Sequence, residues 1–174
     1  MAVQKVFRAV KDPGATITML AEDRTTSSVT AQMSVGEPVK KGGTGSNFAT
    51  PLATGDPEVG TDEMVGIVRK QSTETSTADG VVEVVTLLPY QTVLRAKATT
   101  AANINTVAKI NALVGDWVGG EVTALTGTNG DFTINEDEGD DPNVHAFKIL
   151  DGDSVKGTLD FIVHSHATSA GTTI

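Results

Sequence analysis

Apolar residues along this chain recur mostly at every second position, the period of a strand with one buried face. Within residues 1–12, Val3 and Phe7 share a face of an extended segment, but Lys5 falls on that face too, so the stretch reads as an arm or an edge strand. Pro13-Gly14 marks a turn. Ile17 and Met19 then alternate with Thr16, Thr18 and Leu20, predicting a strand over 15–21. The cleanest alternation sets Val29, Ala31, Met33 and Val35 against Thr30, Gln32 and Ser34. Met64–Lys70 (MVGIVRK) reads as a strand, and a polar hairpin-like stretch follows it, ending in Asp79-Gly80. Residues 81–88 (VVEVVTLL) are the most apolar run, as expected of a central buried strand, and Pro89 ends it. Residues 92–100 alternate Val93, Arg95 and Lys97 with Leu94, Ala96 and Ala98.

Only one segment has helical period. Ile104, Val107, Ile110, Leu113 and Val114 predict a helix over about 104–114, with Asn103 or Asn105 as its cap and Gly115 in the left-handed position past its end. Strands resume at 120–128, 131–135, 145–150 and 158–167, with Asn129-Gly130 and Asp151-Gly152 as tight-turn pairs.

Residues 37–61 break the pattern, holding five Gly and three of the six Pro. They read as a long loop across one end of a sheet, with short extended pieces at Val39–Lys41 and Phe48–Leu52. The predicted fold is mainly β: a single β-barrel or β-sandwich domain with one short α-helix and long irregular loops or arms. Residues 1–14 form an arm or edge strand, 15–168 the domain, and 169–174 a fraying tail. Composition agrees, since 25 Thr and 21 Val stand against 9 Leu among 174 residues.

Charge and chemistry narrow the function. With 13 basic and 22 acidic side chains the net charge is −9, which disfavours nucleic acid and anionic membranes as partners. No apolar run is long enough to span a bilayer, and the start lacks the apolar core of a secretory leader. Cysteine is absent, so there are no disulfides, thiolate metal sites or cysteine nucleophiles.

His164 and His166 would share a strand face and could hold a metal, with His145 as a third ligand only by fold proximity; a surface pair is the plainer reading. Glu136, Asp137, Glu138, Asp140 and Asp141 form an acidic run, but Gly139 falls where a calcium-loop ligand should be, leaving a solvated loop. KKGGTGSN (40–47) lacks the phosphate-loop pattern, and Ser154 lies outside a nucleophile elbow. No catalytic constellation, metal or cofactor is expected. Trp117 reads as a core plug or as a partner anchor, and Arg95, Lys97, Arg69 and Lys70 as solvated side chains or as a local basic patch for an acidic partner, solvation being the plainer reading.

Residues 65–100 (VGIVRKQSTETSTADGVVEVVTLLPYQTVLRAKATT), followed by the short helix, resemble small structural proteins of tailed bacteriophages. The shared features are a G-x-V segment, a polar hairpin, a V-x-V strand ending in Leu-Pro, and an R-A-K-A strand. HAFKILDGDSVKGTLDFIVHSHAT (145–168) resembles their closing strands. The family is that of head decoration, or cement, proteins. The resemblance implies a non-enzymatic virion protein, made in the host cytoplasm, that binds the outer surface of the expanded capsid and bridges capsomers. It implies the major capsid protein as partner and a homotrimer. Irregular text and isolated apolar residues point to Val3, Phe7, Phe48 and Leu52 for capsid contact. The alternatives are a tail-tube or head–tail connector subunit, a carbohydrate-binding β module, and a small hydrolase with dispersed acids.

Overall fold

A computed structural model describes residues 8–11, 14–24, 31–42, 48–123 and 131–167. Eleven strands and one α-helix are present among them. The strands are β1 (Arg8–Lys11), β2 (Thr16–Ala21), β3 (Pro38–Gly42), β4 (Phe48–Pro51), β5 (Met64–Lys70), β6 (Gly80–Thr86), β7 (Val93–Lys97), β8 (Trp117–Thr123), β9 (Asp131–Asn135), β10 (Phe147–Asp153) and β11 (Thr158–Val163). The helix α1 is Val107–Leu113, preceded by a 3-10 turn at Ala101–Ile104. The mainly β fold with a single short α-helix is thus present, and the barrel form is seen directly: β2-β4-β3-β5-β6 close on themselves. A second sheet has the order β1-β7-β11-β10-β8-β9.

The barrel is narrow, and its filling is correspondingly small: Ala21, Met33, Val39, Ala49, Val65, Val68, Val82 and Val84. Strand β2 closes it, antiparallel to β6 over six residue pairs and parallel to β4 at Leu20 and Ala21. The second sheet wraps a larger core. Phe147 and Phe161 meet edge to face at 4.9 Å, Phe132 and Phe147 at 6.1 Å, and Leu94, Ile134, Ile149 and Leu159 surround them. Its far end curls back on itself: Ala98 bridges Ile134, and the Thr99 N–H donates to the Ile134 carbonyl (2.8 Å). Phe132 lies against Gly120, where a Cβ would fall 2.0 Å from the ring, so only glycine fits on that strand.

Strand β5 serves both cores. Val65 and Val68 fill the barrel, whereas Met64 and Ile67 join the second core. Strict alternation cannot give that pattern. A register slip opposite Val39 and Lys40 puts one extra residue into β5 and changes which face follows it.

Several boundaries differ from the sequence reading. The alternation at 29–35 does not continue as a strand through its described part, 31–35. Gly36 has a φ of 87°, and the Glu37 N–H donates to the Ser34 carbonyl, so the chain turns there. Within 37–61 the extended pieces read at Val39–Lys41 and Phe48–Leu52 are β3 and β4, and they pair as a hairpin that builds the barrel wall instead of lying in a loop. Asp151-Gly152 lies inside β10, not at its end. The turn comes later, because Asp153 Oδ1 accepts the N–H groups of Val155 and Lys156, and Gly157 takes a φ of 64°. Helix α1 begins after Thr106, whose side chain accepts the Lys109 N–H, so neither Asn103 nor Asn105 is the cap. Gly115 does take the left-handed conformation past its end, at φ 104°. Strand 81–88 is not fully buried: Val81 is exposed. The Asn129-Gly130 pair lies outside the described residues.

Candidate partner-docking site

The contact residues read from the sequence fall in different places. Val3 and Phe7 lie outside the described residues. Phe48 is half-buried at the start of β4. Leu52 is 5% exposed and belongs to the second core, so its side chain is withdrawn from any surface. Leu52 opens a strap that joins the two sheets. Gly55 N–H donates to the Gly120 carbonyl, Val59 N–H to the Val144 carbonyl, and Val122 N–H to Thr54 Oγ1.

One ammonium group anchors the strap to the barrel. Lys40 Nζ, on β3, lies 2.7 Å from Asp56 Oδ2 and 2.6 Å from Asp62 Oδ1. Those carboxylates also accept the N–H groups of Ala53 and Glu58. Burial works against the charge on Lys40, but its bonds to the two aspartates outweigh burial and raise its pKa. Burial raises the pKa of Asp56 despite Lys40. For Asp62 burial acts the same way, but bonds from Lys40 and the Glu58 N–H prevail and lower it. All three groups are engaged in holding the strap.

The acidic run is not simply solvated. Strand β9 stops at Asn135, and carboxylates beyond it take over its role as acceptor. Glu136 is buried and accepts from the N–H groups of Thr99 and Thr100 and from Asn103 Nδ2. Glu138 accepts the Gly119 N–H and Asp140 the Trp117 N–H. The expected histidine pair also changes. Strand β11 ends at Val163, leaving His164 beyond it and His166 in a 3-10 turn, so they do not share a strand face. Among the described residues no group of three or more His, Cys, Asp or Glu is placed to hold a metal. In the same set no helix is long and apolar enough to cross a membrane.

The lone Trp and the lone Tyr come together at the surface instead of in the core. Trp117 opens β8, Tyr90 sits in the β6–β7 connection, and His164 follows β11. Their ring centroids are 6.4 Å apart for Tyr90–Trp117, 5.4 Å for Tyr90–His164 and 5.2 Å for Trp117–His164. Interplanar angles of 83°, 67° and 60° make this a corner of edge-on rings and not a flat stacking platform. Lys148, paired with Trp117 across β10 and β8, places Nζ 5.5 Å from the Trp117 ring centroid. Tyr90 is 46% exposed and Trp117 half-buried.

Tyr90 is held in a costly conformation. Its φ is 56°, and it is the non-glycine residue with positive φ among the described residues. Leu88 to Gln91 form a turn closed by the Gln91 N–H on the Leu88 carbonyl (3.0 Å), with Pro89 ahead of Tyr90. Proline followed by positive φ is the type II arrangement, where glycine is usual at the tyrosine's place. The Tyr90 N–H donates to the Val163 carbonyl (3.2 Å), and Thr92 Oγ1 accepts the Leu88 N–H. The turn thus aims a large ring at Trp117 and His164. Sequence reading found Trp117 as a possible anchor but missed Tyr90 and His164 as its neighbours. The available signal was a bulky residue after Leu-Pro, where a turn prefers glycine.

Rigid aromatic side chains with polar tips, half-exposed and locked by one another, suit recognition of a protein surface. Comparison with protein-family models, with curated proteins and with solved structures finds no match for this chain.

Proposed function

We propose that this chain is a non-enzymatic virion structural protein that binds the outer surface of an expanded phage capsid and stabilises it by bridging capsomers. The observation that carries the reading is that the two stretches resembling decoration proteins, 65–100 and 145–168, are neighbours in space. Strand β7 from the first pairs antiparallel with β11 from the second over four residues. The R-A-K-A strand and the closing strands therefore share the second sheet, while the G-x-V and V-x-V segments, β5 and β6, stand side by side in the barrel. The uses found for Glu136, Glu138, Asp140, Asp56, Asp62 and Lys40 fit a structural role, since each is engaged in hydrogen bonds that hold the fold.

Binding only the mature lattice stabilises it by linkage. Added protein should therefore raise the temperature at which purified expanded heads rupture, in proportion to occupancy, and leave unexpanded heads unaffected. An unchanged rupture temperature at full dose would overturn the proposal. Of the contact residues read from the sequence, Val3, Phe7 and Phe48 stay in this proposal and Leu52 leaves it. Ala substitution at Phe7 and at Phe48 should lower occupancy without unfolding the protein. The major capsid protein as partner and a homotrimer as the bound form belong to the same proposal.

A further inference from the structure

We propose that the Tyr90–Trp117–His164 corner is the main contact of the docking surface, and that its partner presents a carboxylate beside an apolar side chain. The inference rests on the capsid-binding reading and names the partner's chemistry. Three features carry it.

The corner is built in advance. Three rings in mutual edge contact lose little freedom on binding, and the backbone carries a strained residue to place one of them. It offers apolar area at its rim, where Leu88 and Tyr90 are 39% and 46% exposed.

The corner also carries a cation. Lys148 is half-buried over Trp117 and makes no ion pair among the described residues. Arg69, Lys97 and Lys109 make none there either, but they are exposed, whereas Lys148 is half-buried against a ring. The nearby Asp140 is engaged with the Trp117 N–H. By contrast Lys40, Lys41, Lys70, Arg95 and Lys156 all pair with an acid. A carboxylate supplied by the partner would complete the Lys148 site, while the rings shield that contact from water.

The test uses the full-length protein and expanded heads. Trp117 is the sole tryptophan, so its emission reports on the corner directly. Adding heads should shift and quench it saturably. Lys148→Glu should weaken binding at least tenfold and Lys148→Arg should keep it. Amidating the heads' carboxylates with a carbodiimide and glycinamide should weaken wild-type binding similarly. Circular dichroism of each variant checks that it is folded, and the wild-type emission does not depend on any variant. If the protein binds heads while its emission stays constant and Lys148→Glu binds like wild type, this inference is overturned and the capsid reading stands. If wild type binds no heads, both fall. An emission change driven by protein concentration alone, with dimer sedimentation, would assign the corner to a second copy and overturn the inference.

Discussion

Tyr90 offers a way to separate backbone strain from ring contact. A non-glycine residue in the left-handed region costs about 1–2 kcal/mol, and Tyr90 sits there at φ 56°. Its edge contacts with Trp117 and His164 offset that cost, at about 0.5–1.5 kcal/mol each. Tyr90→Ala removes both contacts and keeps the strain, so it should destabilise the fold by about 1–2 kcal/mol. Tyr90→Gly removes the same contacts but also the strain. It should therefore be more stable than Tyr90→Ala by about 1 kcal/mol, despite glycine's greater freedom when unfolded. For a chain of this size that difference is a melting shift of about 2–4 °C. Urea unfolding followed by circular dichroism measures it, with Trp117 emission as a second probe. Binding to heads should fall equally in both variants, because neither has the ring. A glycine variant no more stable than the alanine one would refute the strain reasoning. Equal stability of all three proteins would refute the ring contacts as well.

Other expectations follow from the same structure. Asp62→Asn should destabilise the protein more than Asp56→Asn at pH 7. The folded pKa of Asp62 is lowered, so it contributes stability above its unfolded pKa and loses it as pH falls through the folded value; Asp56 is raised and has the opposite sign. The gap between the two variants should close as pH falls below the ordinary aspartate value of 3.8, and a gap unchanged in acid would contradict the Lys40 clamp. Glu136→Ala strands the N–H groups of Thr99 and Thr100 and should cost about 2–3 kcal/mol in urea unfolding, whereas a loss below about 0.5 kcal/mol would mean water replaces the carboxylate. Leu52→Ala should cost about 2–4 kcal/mol by leaving a cavity between the sheets, and a surface-like loss would place Leu52 outside the core.

Much of the fold was legible because the period-2 pattern is physically forced. Strands β5, β6, β7, β9 and β11 overlap the segments predicted for them, since each buries at least one face, and β2 does so too although Ile17 and Leu20 stay exposed. The division into two sheets was not legible. It depends on β5 facing two cores through a register slip, and such a slip leaves no mark in a run as uniformly apolar as MVGIV. In residues 37–61 the two extended pieces were legible and are β3 and β4, but their pairing as a hairpin in the barrel wall was not, because glycine and proline suit a long loop equally well. Charge was equally ambiguous. Five acids in seven residues suggest solvation, yet Glu136 is buried because β9 ends early and the backbone beyond needs acceptors. The aromatic corner joins residues far apart in sequence, and no local pattern could place Tyr90 beside His164.

Capsid binding is most directly tested by co-sedimentation of the purified protein with expanded and unexpanded heads, counted as copies per capsid. The expected result is saturable binding to expanded heads alone, at a number set by the lattice's local three-fold positions. Binding to neither form, or to both equally, would contradict it.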